Sequence, residues 1–242
     1  SENFNLYSIG TLNYNKEDYP IKLRVKGDRV LHWYDKNQTS YKIDLRGPKR
    51  VWGMEEFSVQ KPITRNYTYE FIFHKLLEFS NLISLKYFFV NLSLNDTEQG
   101  IYAVEEGFAT ELIERNKRRN GPIFGVEEDL GVTYPNIQYD LYSQNYWLKN
   151  YPELTSNAIA KLNQLKKDEI EVETIFDLEK WANFFAVIDF SNTLHGSISK
   201  SVKLYYNPVT GKFEPIGFDG HYGLGTVNDF IILDFLDLDN KK

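Results

Sequence analysis

Asp219 and Gly220 close the segment that runs from Tyr205-Tyr206-Asn207-Pro208 through Gly211-Lys212-Phe213 to Ile216-Gly217-Phe218-Asp219-Gly220. The pattern predicts a β-hairpin, with strands at Val202 to Tyr206 and Phe213 to Ile216 around the turn Asn207 to Gly211. A carboxylate fixed at a strand end, with the backbone turning away at glycine, suits a metal ion held beside a phosphate. The same Asp-Gly dipeptide also opens ordinary turns. His221 follows two residues on and His195 lies upstream. Two histidines and one carboxylate are also a donor set for hydrolytic zinc, although this spacing matches no compact metal motif. Gly220-His221-Tyr222-Gly223-Leu224-Gly225 is glycine-rich but lacks the strand–loop–helix order of a dinucleotide fingerprint. The sequence has no cysteine, which excludes thiolate nucleophiles, cysteine metal sites and disulfides. It also has no Walker sequence and no Gly-x-Ser-x-Gly.

Such groups need elements to position them. Ile21, Leu23 and Val25 alternate with Lys22, Arg24 and Lys26, the period of a half-buried strand. Gly27-Asp28 then predicts a turn, Val30 to Tyr34 a returning strand, and Ser40 to Leu45 a third, ended by Gly47-Pro48. Tyr69, Ile72, Phe73, Leu76 and Leu77 form a one-sided helical stripe. Strands return at Tyr87 to Leu94 and Ile101 to Val104, joined by a turn over Asn95 to Gly100. From there the pattern is helical at Ala109 to Arg119, Ser156 to Lys166 and Asp177 to about Phe190, with Asp177 as N-cap. An apolar stretch from Phe230 to Leu238 follows the hairpin. The order predicts an α+β fold with a strand-rich part over 1–106 and a helix-rich part over 107–242.

Composition sets the outer limits. The 242 residues are 42% hydrophobic and 16% aromatic, enough to bury a large core. A net charge of −6 argues against sequence-independent nucleic-acid binding, which needs clustered cations. The one basic run, Lys117-Arg118-Arg119, follows Glu111 and Glu114 at helical spacing and reads as the last turn of a solvated helix. Glu127-Glu128-Asp129 reads as a solvated loop. No apolar run approaches the roughly 20 residues of a transmembrane helix, and no signal-like stretch opens the sequence.

Beside these local readings stands a resemblance. The hairpin leading to Asp219 is similar to the segment of CotH (spore-coat-protein-H-like) kinases that ends on a metal-binding Asp. Gly53-Met54-Glu55-Glu56-Phe57 through Arg65-Asn66-Tyr67 resembles the family segment before the first helix. Lys26-Gly27-Asp28, Gly100-Ile101-Tyr102-Ala103-Val104-Glu105-Glu106 and Gly121-Pro122-Ile123 extend the likeness over about residues 20 to 225.

The resemblance implies a two-lobed, protein-kinase-like fold binding ATP with Mg²⁺ or Mn²⁺ at Asp219. By position it implies a lysine–glutamate pair, Lys42 with Glu70, and a hinge at Glu105 and Glu106 that meets the adenine through its backbone. The family's metal-holding Asn falls here on Ser201, and its presumed base on Gly196, which can accept no proton. His195, with an unperturbed pKa of about 6.5, is the alternative base. Two functions follow from the resemblance. One is a kinase of this type, transferring the γ-phosphate to Ser or Thr of a secreted or cell-surface protein. The other is a pseudokinase, a binding or structural module on the same scaffold. The partners implied are a nucleotide and an acceptor protein.

Overall fold

The computed structural model describes residues 6–26, 39–126, 137–198 and 201–221. The predicted turn at Gly27-Asp28, the strand at Val30 to Tyr34, the acidic run 127–129 and the stretch from Phe230 to Leu238 lie outside these residues. The chain divides into two packed units, Ser1–Phe71 with Leu85–Leu112, and Ile72–Ser84 with Ile113–Lys242. The architecture is α+β.

The first unit is built on a six-stranded antiparallel sheet. Its strands are β1 (Ser8–Tyr14), β2 (Glu17–Val25), β3 (Tyr41–Leu45), β4 (Glu56–Gln60), β5 (Tyr87–Leu94) and β6 (Thr97–Glu106), in the order β1-β2-β3-β4-β6-β5. Two hairpins turn on residue pairs held at positive φ, Asn15-Lys16 and Asn95-Asp96. That backbone twist matches the twist of the strands it joins. The predicted turn at Asn95 to Gly100 is therefore shorter, and β6 begins at Thr97. Gly100, at φ 78°, lies opposite Leu92 beside a register shift, where a β-bulge asks for a residue without Cβ. Ile21, Ile43, Leu45, Phe57 and Val104 form the sheet's apolar core with Met54 and Tyr102.

Helix α1 (Tyr69–Phe79) carries the predicted stripe, and Phe73 and Leu77 are fully buried. Its first three residues belong to the first unit and the remainder to the second.

Where the sequence predicts mainly helices, the second unit also holds a four-stranded sheet. It comprises β7 (Ile123–Val126), β8 (Tyr139–Leu141), β9 (Lys203–Asn207) and β10 (Lys212–Ile216), in the order β10-β9-β7-β8. Around it in sequence stand α2 (Thr110–Arg115), α3 (Gln144–Asn150), α4 (Pro152–Lys166), α5 (Val172–Ile175) and α6 (Leu178–Ser191). Asp177 caps α6, accepting from the Lys180 N–H at 3.2 Å. Helix α2 ends four residues before the predicted end, and Lys117 sits at φ 59°. Arg118 is thereby taken out of the expected solvated turn, and its Nε pairs with the buried Glu214 on β10 at 3.0 Å.

Candidate functional site

The β9–β10 hairpin is fixed at its turn by Asn207. The side-chain oxygen of Asn207 accepts from the Val209 N–H at 2.9 Å, and its amide donates to Glu214 at 2.7 Å. After β10 the Gly217 N–H donates to the Ile83 carbonyl at 3.1 Å, which holds the exit strand beside residues 82–84. Asp219 then adopts φ 59°, a left-handed conformation that Asp tolerates better than most residues. The glycines on either side serve close approach. A Cβ on Gly217 would stand 2.0 Å from Leu77 Cδ1, and one on Gly220 would stand 2.0 Å from Phe73 Cδ1. Gly220 is thus required by the packing of α1, and Asp219 itself makes the turn.

His195 arrives from the other side. Helix α6 ends at Asn192, in the left-handed region, and a 3₁₀ turn over Leu194–Ser197 presents the imidazole. The Ser201 N–H donates to the Ile198 carbonyl at 2.8 Å. Four residues weighed from sequence, His195, Ser201, Asp219 and His221, therefore converge. His195 Nδ1 lies 3.2 Å from Asp219 Oδ2, and Ser201 Oγ lies 3.2 Å from that same Nδ1. Ser201 Oγ donates to Asp219 Oδ2 at 3.3 Å, and His221 Nε2 faces Asp219 Oδ1 at 3.2 Å. The two imidazoles stack with centroids 4.3 Å apart. Asp219, Ser201 and His221 are buried, while the His195 side chain keeps 18% exposure. One ligand atom from each of His195, Asp219 and His221 lies within 4.8 Å of the others, so the donor set fits a cation. Next to the cluster, the buried Lys203 places its ammonium 5.2 Å from the Phe218 ring centre.

Gly196, on the same 3₁₀ turn, leaves little room. A Cβ there would meet the Phe218 carbonyl oxygen at 3.2 Å and Phe73 Cζ at 3.4 Å. A carboxylate at this position would have to displace the segment that carries Asp219.

In the first unit the expected pair of Lys42 with Glu70 is not formed. Lys42 Nζ binds Glu56 Oε2 at 2.8 Å and stands 4.0 Å from Asp44. The register explains this, because Asp44 and Glu56 are direct cross-strand partners. Two like charges placed opposite repel, and an ammonium between them removes the repulsion. Gly107 makes room for this arrangement, since a Cβ on it would fall 2.4 Å from Glu56 Cγ.

Glu70 instead belongs to a buried cluster with Arg65, Glu105, Gln60 and Lys26. Arg65 Nε lies 4.0 Å from Glu70 Oε2 and 3.9 Å from Glu105 Oε2. Lys26 ion-pairs with Glu105, and the Gln60 amide donates to Glu105 at 3.0 Å. Burial, and then the charges of Glu70 and Glu105, push the nearby Tyr87 hydroxyl well above its ordinary pKa. Glu106 accepts the Lys86 N–H at 2.7 Å, and its own N–H donates to the Lys86 carbonyl at 3.0 Å. Glu105 is paired in register with both Ser58 and Tyr87. Both glutamates of the expected hinge are thus engaged inside the sheet. Arg65 was not singled out from sequence as a functional residue. Its local signal is Lys61-Pro62, which starts the 3₁₀ turn Pro62–Arg65.

No helix among the described residues is long and apolar enough to cross a membrane. No curated protein matches the chain. The family model described as CotH kinase protein matches residues 23–240, nearly the whole chain, and includes both clusters. The chain therefore belongs to the CotH kinase family, with the kinase-like function that this implies in general.

Proposed function

We propose that this chain transfers the γ-phosphate of ATP to a Ser or Thr hydroxyl of an acceptor protein at the cell surface or outside the cell. The observation that carries this reading is the convergence of His195, Ser201, Asp219 and His221 on one buried point, in a chain of the CotH kinase family. In the reaction the bond between the γ-phosphorus and its bridging oxygen breaks, and a bond to the acceptor oxygen forms. ADP leaves and the acceptor's proton passes to water. A divalent ion at this cluster would supply positive charge to the phosphate oxygens. Asp219 is the carboxylate that would hold it. His195, a candidate base by sequence, is engaged through Nδ1 by Asp219 and Ser201. In this reading it joins the cation-holding set. Arg65, rather than Lys42, stands opposite the helix glutamate Glu70 and holds it in position.

Binding to the folded state alone stabilises it by mass action, by about 2.7 kcal/mol at a hundredfold excess over Kd. ATP with Mn²⁺ should therefore raise the melting temperature of wild type, and Asp219→Asn should lose that shift. Phosphate labelled at the γ-position should reach protein in wild type only. An equal thermal shift in both proteins would remove Asp219 from the site.

A second reading, a nucleotide-binding module without transfer, is favoured by the closed space around Gly196 and by a hydroxyl at position 201. It predicts the ATP-dependent shift without any labelled protein, including in Ser201→Asn.

A further inference from the structure

The groups around Asp219 offer more than a lone carboxylate that could meet a cation. His195 Nδ1, Ser201 Oγ and Asp219 Oδ2 form a nearly equilateral face with edges of 3.2, 3.2 and 3.3 Å. His221 Nε2 lies 3.2 Å from the remaining carboxylate oxygen. Atoms bound to one ion at about 2.1 Å stand about 3.0 Å apart along an octahedral edge and about 3.4 Å along a tetrahedral one. The contacts to Asp219 fall between these limits. One ligand atom from each of His195, Asp219 and His221 lies within 4.8 Å of the others, so the two imidazoles would close around a bound ion.

The chemistry of the donors then selects the ion. Magnesium takes oxygen ligands, keeps much of its water and gains little from imidazole. Two imidazoles with one carboxylate are instead a donor set for first-row transition ions. The site is also held by packing. Asp219 sits at φ 59°, and Phe73 fills the space where Gly220 lacks a Cβ.

We infer that His195, Asp219 and His221 bind a divalent first-row transition-metal ion and discriminate against magnesium. The inference rests on the phosphotransfer reading only for what the ion does there; the binding itself needs no nucleotide.

The test uses the full chain, stripped with a chelator, without ATP. Co²⁺ should bind at one equivalent and produce visible d–d absorption, and a large excess of Mg²⁺ should leave that spectrum in place. Pulsed electron paramagnetic resonance of bound Mn²⁺ should show couplings to imidazole nitrogen. His195→Gln and His221→Gln should each weaken Co²⁺ binding about tenfold or more and reduce the nitrogen coupling. The wild-type spectra need no variant, so a misfolded variant leaves the test intact. Displacement of Co²⁺ by equimolar Mg²⁺, or Mn²⁺ bound without nitrogen coupling, would overturn the inference. Labelled transfer supported by Mg²⁺, with no Co²⁺ or Mn²⁺ binding in the absence of nucleotide, would overturn it while leaving phosphotransfer standing. Metal binding as described with no labelled protein would sustain the site and sink the phosphotransfer reading.

Discussion

In the first unit the buried Glu105 is met by Lys26, Arg65 and Gln60, and Glu70 shares the same arginine. In the second unit the buried Asp219 is met by two imidazoles and a hydroxyl. Both carboxylates are almost wholly removed from water, so each needs compensation. Glu105 receives it from permanent cations of its own chain. Asp219 receives hydrogen-bonding groups that can be neutral and can equally bind a metal. The first cluster is an ion-pair network, whereas the described neighbours of Asp219 in the second are donors that can also hold a metal ion. Burial of a carboxylate therefore does not by itself separate structure from chemistry. The donor types around it do.

The largest effect should come from breaking the first cluster. Glu105→Gln leaves the buried Arg65 and the partly buried Lys26 with one counter-charge fewer and should cost about 3–5 kcal/mol, read from the urea midpoint. Asp219→Asn should cost only about 1 kcal/mol while removing metal binding. Equal losses of stability would make Asp219 a structural ion-pair partner and end the contrast.

Next in size is the glycine that frames Asp219. Gly220→Ala drives a Cβ into the Phe73 ring and should cost about 1–3 kcal/mol. Phe73→Leu in the same chain should return part of that loss, because the two sites share one contact. Strict additivity would mean that the ring does not set the position of Asp219. Gly196→Asp meets the Phe218 carbonyl and the same ring at longer range but also buries a second carboxylate, so a cost of at least about 1–3 kcal/mol is expected. It should bring no gain in phosphate transfer. A gain would show that the 3₁₀ turn yields easily and that the second cluster is less rigid than its packing indicates.

The parts of this molecule visible in its sequence are those fixed by local pattern. Strand β5 begins and ends where alternation and Asn95 place it, and α6 starts at its Asp177 cap. Strand β1 was not read because Ser8 to Tyr14 is largely exposed and carries little apolar alternation. Helix α4 starts four residues before its apolar pattern does, at Pro152, where the fixed φ of proline suits a first helical position. Asp219, Ser201, His195 and His221 were legible as candidates because hairpin spacing, donor type and the family likeness pointed to them. Their convergence was not, since it depends on glycines at 217 and 220 meeting Leu77 and Phe73 on a helix far away in sequence. Likewise, Arg65 and Glu105 lie forty positions apart. Only strand register reveals that Lys42 faces Glu56 and Asp44 instead of Glu70.

Lys42 gives the smallest and most discriminating prediction. Burial alone would lower its pKa. The charge and hydrogen bond of Glu56, and then the charge of Asp44, outweigh that and hold it above the ordinary lysine value. The folded value is therefore higher than the unfolded one of about 10.4. The pair contributes its full stability below that pH and loses it as the pH rises through the folded value. Because the two side chains remain 29% and 22% exposed, the contribution should stay below about 1 kcal/mol. Lys42→Met should thus lower the melting temperature by a few degrees at most. The gap to wild type should be constant through neutral pH and close only in strong alkali. It should leave the ATP-dependent stabilisation unchanged, because Lys42 here separates two carboxylates on neighbouring strands. A variant as stable as wild type that no longer responds to ATP would return Lys42 to the phosphates. The first unit would then hold a nucleotide-binding cation outside its buried network.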